Sequence, residues 1–166
     1  MKVAVLDYGA GNVAGLRNAL VDAGATISPW GEADVLVLPG VGHFGHCASA
    51  LGDERRSRLI DWARTGRSLL GICVGMQLLF DYSEEGQAQG LGIISGKVKR
   101  LKAPRLPHVG WNEVDGQHYY FAHSYGVDWR TLSKGVALSL TDYHGPVVAK
   151  VRAGNVLGVQ FHPEKS

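Results

Sequence analysis

Short, mostly apolar runs punctuate the first half of the chain, at residues 3–6, 35–38 and 68–72. Runs of that length ending near glycines are the pattern of strands buried on both faces of a parallel sheet. Between them the spacing turns helical. Val13, Leu16, Leu20 and Ala23 fall on one face, and Gly24 is a natural stop. A second helix is predicted over residues 47–64, interrupted near Gly52 and ended at Gly66, and residues 75–80 turn helical directly after the third run. Residues 26–28 read as a short strand. Strand and helix in alternation predict a parallel sheet with helices on both faces.

The second half reads differently. Strands are expected at 97–101, 112–114, 119–124, 136–140, 147–152 and 156–161, with Ala153-Gly154-Asn155 as a hairpin turn between the last two. The expected fold class is therefore α/β: a mixed sheet, parallel in its core and extended by antiparallel strands. No linker or domain boundary interrupts residues 1–166.

Composition narrows the classes of function. Apolar residues make up 45% and charged residues 19% of the 166, which is globular usage. Glycine, at 23 residues, is about twice its average share and marks tight turns and close backbone approaches. The net charge of +2 points to neither nucleic acid nor membrane as a partner. The basic run Lys97–Lys102 alternates like one solvated strand face. No apolar run approaches the ~18 residues of a membrane helix, and the first residues run straight into a strand. Two cysteines make no disulfide framework. A cytoplasmic protein with reduced thiols is expected.

One of those cysteines is in a distinctive place. Gly71-Ile72-Cys73-Val74-Gly75 has the form G-x-nucleophile-x-G between a buried strand and a helix, the context of a nucleophile elbow. The helix amides and dipole at its start would favour thiolate. A buried structural cysteine is the competing reading. A base is available in Phe161-His162-Pro163-Glu164: in an extended segment residues i and i+2 point the same way, so Glu164 would orient the His162 imidazole. Pro39-Gly40-Val41-Gly42 follows the second apolar run. Loops at the carboxyl ends of such strands gather at one edge, so this loop and Cys73 should be neighbours, with glycines that let backbone N–H groups face an oxyanion. Two other patterns compete for attention. Gly9-Ala10-Gly11-Asn12-Val13-Ala14, with Asp34 twenty residues beyond, is close to a dinucleotide fingerprint. His43 and His46 have i, i+3 spacing but no third metal ligand at fitting distance.

Taken together, the elbow with Met76-Gln77, the 39–42 loop and the ending Phe161-His162-Pro163-Glu164-Lys165-Ser166 resemble class I, triad-type glutamine amidotransferases. Within them, the segments DYGAGN at 7–12, PGVGHFG at 39–45, LPHVGWNEV at 106–114 and YYFAHSY at 119–125 are similar to the glutaminase subunits of imidazole glycerol phosphate synthase. The resemblance implies a three-layer, flavodoxin-like fold and a single glutaminase domain over 1–166. It implies Cys73 as nucleophile, His162 as base and Glu164 as its orienting partner. Backbone amides of Gly40, Val41 and Gly42 would hold the oxyanion after a loop rearrangement. Gln77, His123, Ser124 and Tyr125 would hold glutamine. Asn12, Trp111, Tyr120 and Lys165 would lie at the face that docks a (β/α)8 cyclase subunit, which receives the ammonia. No cofactor or metal is implied. Relative to that family the loops are compressed, the usual final helix is expected to be lacking beyond Ser166, and Val74 replaces the usual Leu. Three other readings stand beside this one: a non-catalytic binding subunit of the same complex, the glutaminase of pyridoxal phosphate synthesis, and a nucleotide-binding α/β protein.

Overall fold

A computed structural model describes residues 1–166. The chain opens with β1 (Lys2–Val5), α1 (Val13–Asp22), β2 (Thr26–Ile27), β3 (Val35–Leu38), α2 (Phe44–Arg64), β4 (Ser68–Ile72) and α3 (Val74–Gln77). It continues through β5 (Tyr82–Ser83), β6 (Ala88–Gln89), β7 (Lys97–Arg100), β8 (His108–Val114), β9 (Gln117–His123) and β10 (Tyr125–Val127). It closes with β11 (Ala137–Asp142), β12 (Pro146–Ala153) and β13 (Val156–Val159).

The central sheet has seven strands in the order β11-β12-β13-β4-β3-β1-β2. From β13 to β2 all pairings are parallel, and β12 and β11 extend the sheet antiparallel. The order β2-β1-β3-β4-β13 is that of a flavodoxin-like doubly wound sheet. The crossover through α1 runs one way from β1 and the crossover through α2 runs the other way from β3. With right-handed crossovers, the two helices must cover opposite faces. Leu36, Leu38, Leu69 and Leu51 are buried between these layers. Gly52 breaks α2 with φ 68°, a value that favours glycine, at the predicted interruption.

The second half corrects one expectation. The strands expected at 97–101, 112–114 and 119–124 do not join the central sheet. β7 belongs to a four-stranded sheet, β10-β7-β5-β6, and β8 and β9 form a separate hairpin. That hairpin packs beside the central sheet through side chains: Asn112 Nδ2 donates to Asp142 O at 2.8 Å and Thr141 Oγ1 to Glu113 O at 2.7 Å. Its inner face carries His108, Phe121 and His123, all buried. Its outer face carries Val109, Trp111, Tyr120 and Ala122.

Candidate active site

The carboxyl ends of β3, β4 and β13 meet at one edge of the sheet, and Cys73 stands where β4 turns into α3. Its backbone is at φ 55°, ψ −114°, a left-handed conformation that non-glycine residues rarely adopt. The turn is possible because glycines flank it. A Cβ on Gly75 would run into the Leu38 carbonyl, and one on Gly40 would sit 2.6 Å from Gly75 N. The chain therefore closes on the turn with no room for side chains.

His162 lies beside the sulfur, buried, with Nδ1 3.0 Å from Glu164 Oε1. A carboxylate can only accept, so Nδ1 carries the proton and Nε2 is left for Cys73. Burial pulls the imidazole down. Its hydrogen bonds with Cys73 and Glu164, together with their charges, more than offset this and raise it to about 9. Burial would raise the Glu164 carboxyl, but the His162 hydrogen bond and the His162 and Lys165 charges keep it below its ordinary value. The favoured state is an imidazolium clamped between a carboxylate and the sulfur. The extended geometry expected for 161–164 is only half right: His162 is extended, but residues Pro163–Lys165 form a 3-10 turn that swings Glu164 back onto the ring. The segment after His162 is tied down. His162 N–H donates to Tyr120 O, Tyr120 N–H to Ser166 Oγ, and Ser166 Oγ to His162 O.

The helix expected to polarise the sulfur is a single turn of four residues, with too few aligned peptides for a substantial dipole. The first amide after Cys73, Val74 N–H, donates to Gly40 O at 3.2 Å. The neighbouring carbonyls of the same loop are also held: Tyr8 Oη donates to Pro39 O at 2.6 Å, and Cys47 Sγ to Val41 O at 3.3 Å. Burial pushes the Cys47 thiol up, so it stays protonated and donates.

A cavity of about 250 Å³ opens over Cys73. Val41, Gly42, Gln77, His123, Ser124, Tyr125, His162 and Lys165 all lie in its wall. The residues expected to hold glutamine are thus brought to one place. Gln77 Nε2 donates to Tyr125 O at 2.9 Å and to Gln160 Oε1 at 3.1 Å, and its own Oε1 is buried without a partner. His123 Nδ1 lies 2.8 Å from Tyr125 O, and His108 Nδ1 lies 3.0 Å from His123 Nε2. Burial lowers both imidazoles to about 4, so both are neutral at physiological pH.

Two residues here escaped the sequence reading. Gln160 is fully buried, with Nε2 3.8 Å from Cys73 Sγ. His108 is buried and stacked between Phe121 and Tyr143. The parity that singles out His162 also puts Gln160 on its side of the strand end, so a signal for Gln160 was present.

Of the residues expected at a docking face, Trp111 is 59% exposed and packs edge-on against Tyr120 at 6.1 Å, while Lys165 Nζ stands 5.5 Å over the Tyr120 ring. Ala122, on the same outer face of the hairpin, also lines the cavity. Asn12 is exposed and its Oδ1 caps α1 through Gly15 N–H. The dinucleotide pattern fails geometrically. Asp34 accepts from Lys2 N–H at the amino-terminal edge of the sheet, opposite the Gly9–Ala14 loop. His43 caps α2 through Gly45 N–H.

The doubly wound sheet carries a strained cysteine elbow with a buried His–Glu pair behind it, a geometry suited to acyl transfer. A family model described as glutamine amidotransferase class-I matches residues 4–166. The chain is 41% identical to imidazole glycerol phosphate synthase subunit HisH of Bacillus subtilis (strain 168), over 99% of this chain and 89% of that protein. It is 40% identical to the subunit of that name from Pyrococcus furiosus, over 99% and 92%. A solved structure titled as a glutamine amidotransferase superposes with TM-score 0.78 at 25% identity, covering 99% of this chain and 91% of the other. The chain belongs to the class-I glutamine amidotransferase family, among its imidazole glycerol phosphate synthase HisH subunits. No helix is long and apolar enough to cross a membrane.

Proposed function

We propose that residues 1–166 work as one glutaminase domain that hydrolyses glutamine to glutamate and ammonia and passes the ammonia to a (β/α)8 cyclase subunit in histidine biosynthesis. The observation that carries this reading is the strained Cys73 beside the buried His162–Glu164 pair. The Cys73 thiolate attacks the side-chain carbonyl carbon of glutamine. The C–N bond breaks, the His162 imidazolium gives its proton to the departing nitrogen, and ammonia leaves a glutamyl thioester. His162, now neutral, takes a proton from water as the water attacks, and glutamate is released. Gln77 Oε1, the unpaired acceptor in the cavity wall, suits an N–H group of the substrate.

The oxyanion needs donors that are not yet free. Val74 N–H is bound to Gly40 O. Rotation of the Gly40–Val41 peptide would release that amide and turn Val41 N–H toward the sulfur. The exposed Trp111–Tyr120 face and Lys165 adjoin the cavity mouth, where a docked cyclase would cover it and exclude water. The products of the complex would be imidazole glycerol phosphate and an aminoimidazole carboxamide ribotide.

A diazoketone analogue of glutamine, incubated with the chain and its cyclase subunit, tests the reading. An adduct mapped by mass spectrometry to Cys73 alone is expected. No adduct, or one on Cys47, contradicts it.

A further inference from the structure

A continuous run of hydrogen bonds joins the hairpin to the nucleophile, and its polarity can be assigned from one fixed point. The Tyr125 carbonyl can only accept. His123 Nδ1, 2.8 Å away, must therefore carry a proton, which makes Nε2 of the neutral ring an acceptor. His108 Nδ1, 3.0 Å from that Nε2, must then donate, leaving His108 Nε2 to accept from Asn112 Nδ2 at 3.2 Å. The Asn112 amide is itself fixed, since Nδ2 donates to Asp142 O and Oδ1 accepts from Glu113 N–H. On the other side of Tyr125 the same logic holds. Gln77 Nε2 donates to the carbonyl, so the Gln77 nitrogen also meets Gln160, and the Gln160 oxygen must face it. That leaves only one group of Gln160 for the sulfur, its NH2.

We propose that Gln160 is a second hydrogen-bond donor to the Cys73 thiolate, beside His162, and that His108 and His123 are positioning residues that hold in place the Tyr125 carbonyl from which Gln77 and Gln160 take the orientation that points N–H at the sulfur. Reversing Gln160 would set its carbonyl against the sulfur and its NH2 against the Gln77 nitrogen. In a site this buried, such a mismatch is costly. The other titratable groups near the sulfur do not supply this donor. Tyr8 and Cys47 are committed to the Pro39 and Val41 carbonyls, and Glu85 and Lys165 stand in the cavity wall. A hydrogen bond to the charged form of a group favours that form. The proposal rests on Cys73 being the nucleophile, but its readout is alkylation by iodoacetamide, which needs no glutamine turnover.

The pH–rate profile of Cys73 alkylation, followed by mass spectrometry on the full chain, is the test. Gln160→Met keeps the volume and removes the donor. It should move the profile up by about one pH unit, a loss of about tenfold in rate on the rising limb of the profile, with the rates converging at high pH. His108→Leu should move it the same way, by about threefold on the rising limb, while His108→Asn, whose Nδ2 can replace the ring Nδ1 donor, should restore the profile. Adding His108→Leu to Gln160→Met should cost nothing further, because the histidine acts through the glutamine. Wild-type rates in Gln160→Met, or a slowing equal at every pH, would overturn the proposal. If Gln160→Met does not fold, the His108→Leu and His108→Asn pair decides it, and equal profiles for the two would overturn it.

Discussion

Cys73 and Cys47 carry the same side chain at the same edge of the sheet, and both are buried. Their partners separate them. Cys47 donates to a carbonyl and is pushed up by burial, which keeps it an inert thiol. Cys73 faces an imidazole that its surroundings hold protonated. Replacing His162 by Ala removes both the cation and the proton carrier, and the cyclase-stimulated glutaminase rate should fall by about a thousandfold or more. Glu164→Gln leaves the imidazole in place and should retain about a hundredfold more activity than His162→Ala. Steady-state ammonia release measures both, and a Glu164→Gln rate at or below that of His162→Ala would refute the orienting role. At this scale Cys73, His162 and Glu164 stood out as candidates because each sits in a short motif with fixed spacing. Gln160 and His108 were harder to see. Their partners lie 87 and 15 residues away along the chain, and no local period records such pairings.

The elements explain why the elbow sits where it does. The loop after β3 and the turn after β4 are pressed together so closely that Gly40 and Gly75 leave no space for a methyl group. Gly75→Ala should therefore destabilise the fold by roughly 1–3 kcal/mol, the usual cost of forced overpacking, measured by denaturant unfolding. An unchanged midpoint would mean the two segments are less tightly joined. The 39–42 loop is also pinned carbonyl by carbonyl, to the Tyr8 hydroxyl, the Val74 amide and the Cys47 thiol. Rotation of the central peptide breaks only the Val74 bond. The parallel core of the fold was legible because buried strands four or five residues long stand out between helical spacings. The second half was less so. β5, β6 and β10 have two, two and three residues, too few to show a period. Nor does alternation alone say which sheet a strand joins, which is why β7, β8 and β9 were expected in the central one.

For the whole molecule, the buried histidines set a window of pH stability. His108 and His123 are held neutral down to about 4, whereas in the unfolded chain they take up protons below about 6.5. The unfolded state then binds more protons, so stability falls as pH drops from about 6.5 toward 4. His162 acts in the opposite sense. Its raised value, about 9, adds stability that is fully present below about 6.5 and is lost as pH rises through 9. The thermal midpoint should be highest near pH 6.5 and fall on both sides, and His108→Asn should flatten the acid side. A midpoint that changes equally little from pH 4 to pH 9 would contradict this.

In the proposed reading, a Cys-His-Glu glutaminase keeps its oxyanion amides occupied until a partner docks on the Trp111–Tyr120 face. Ammonia release from glutamine by the purified chain tests it most directly, measured alone and then with a cyclase subunit and its nucleotide ligand, with Cys73→Ala as the control. Little release is expected alone, a large increase in the complex, and none in Cys73→Ala, although that variant still docks. Full release by the isolated chain would show that the oxyanion site is already open. Undiminished release by the Cys73→Ala complex would show that the nucleophile lies elsewhere.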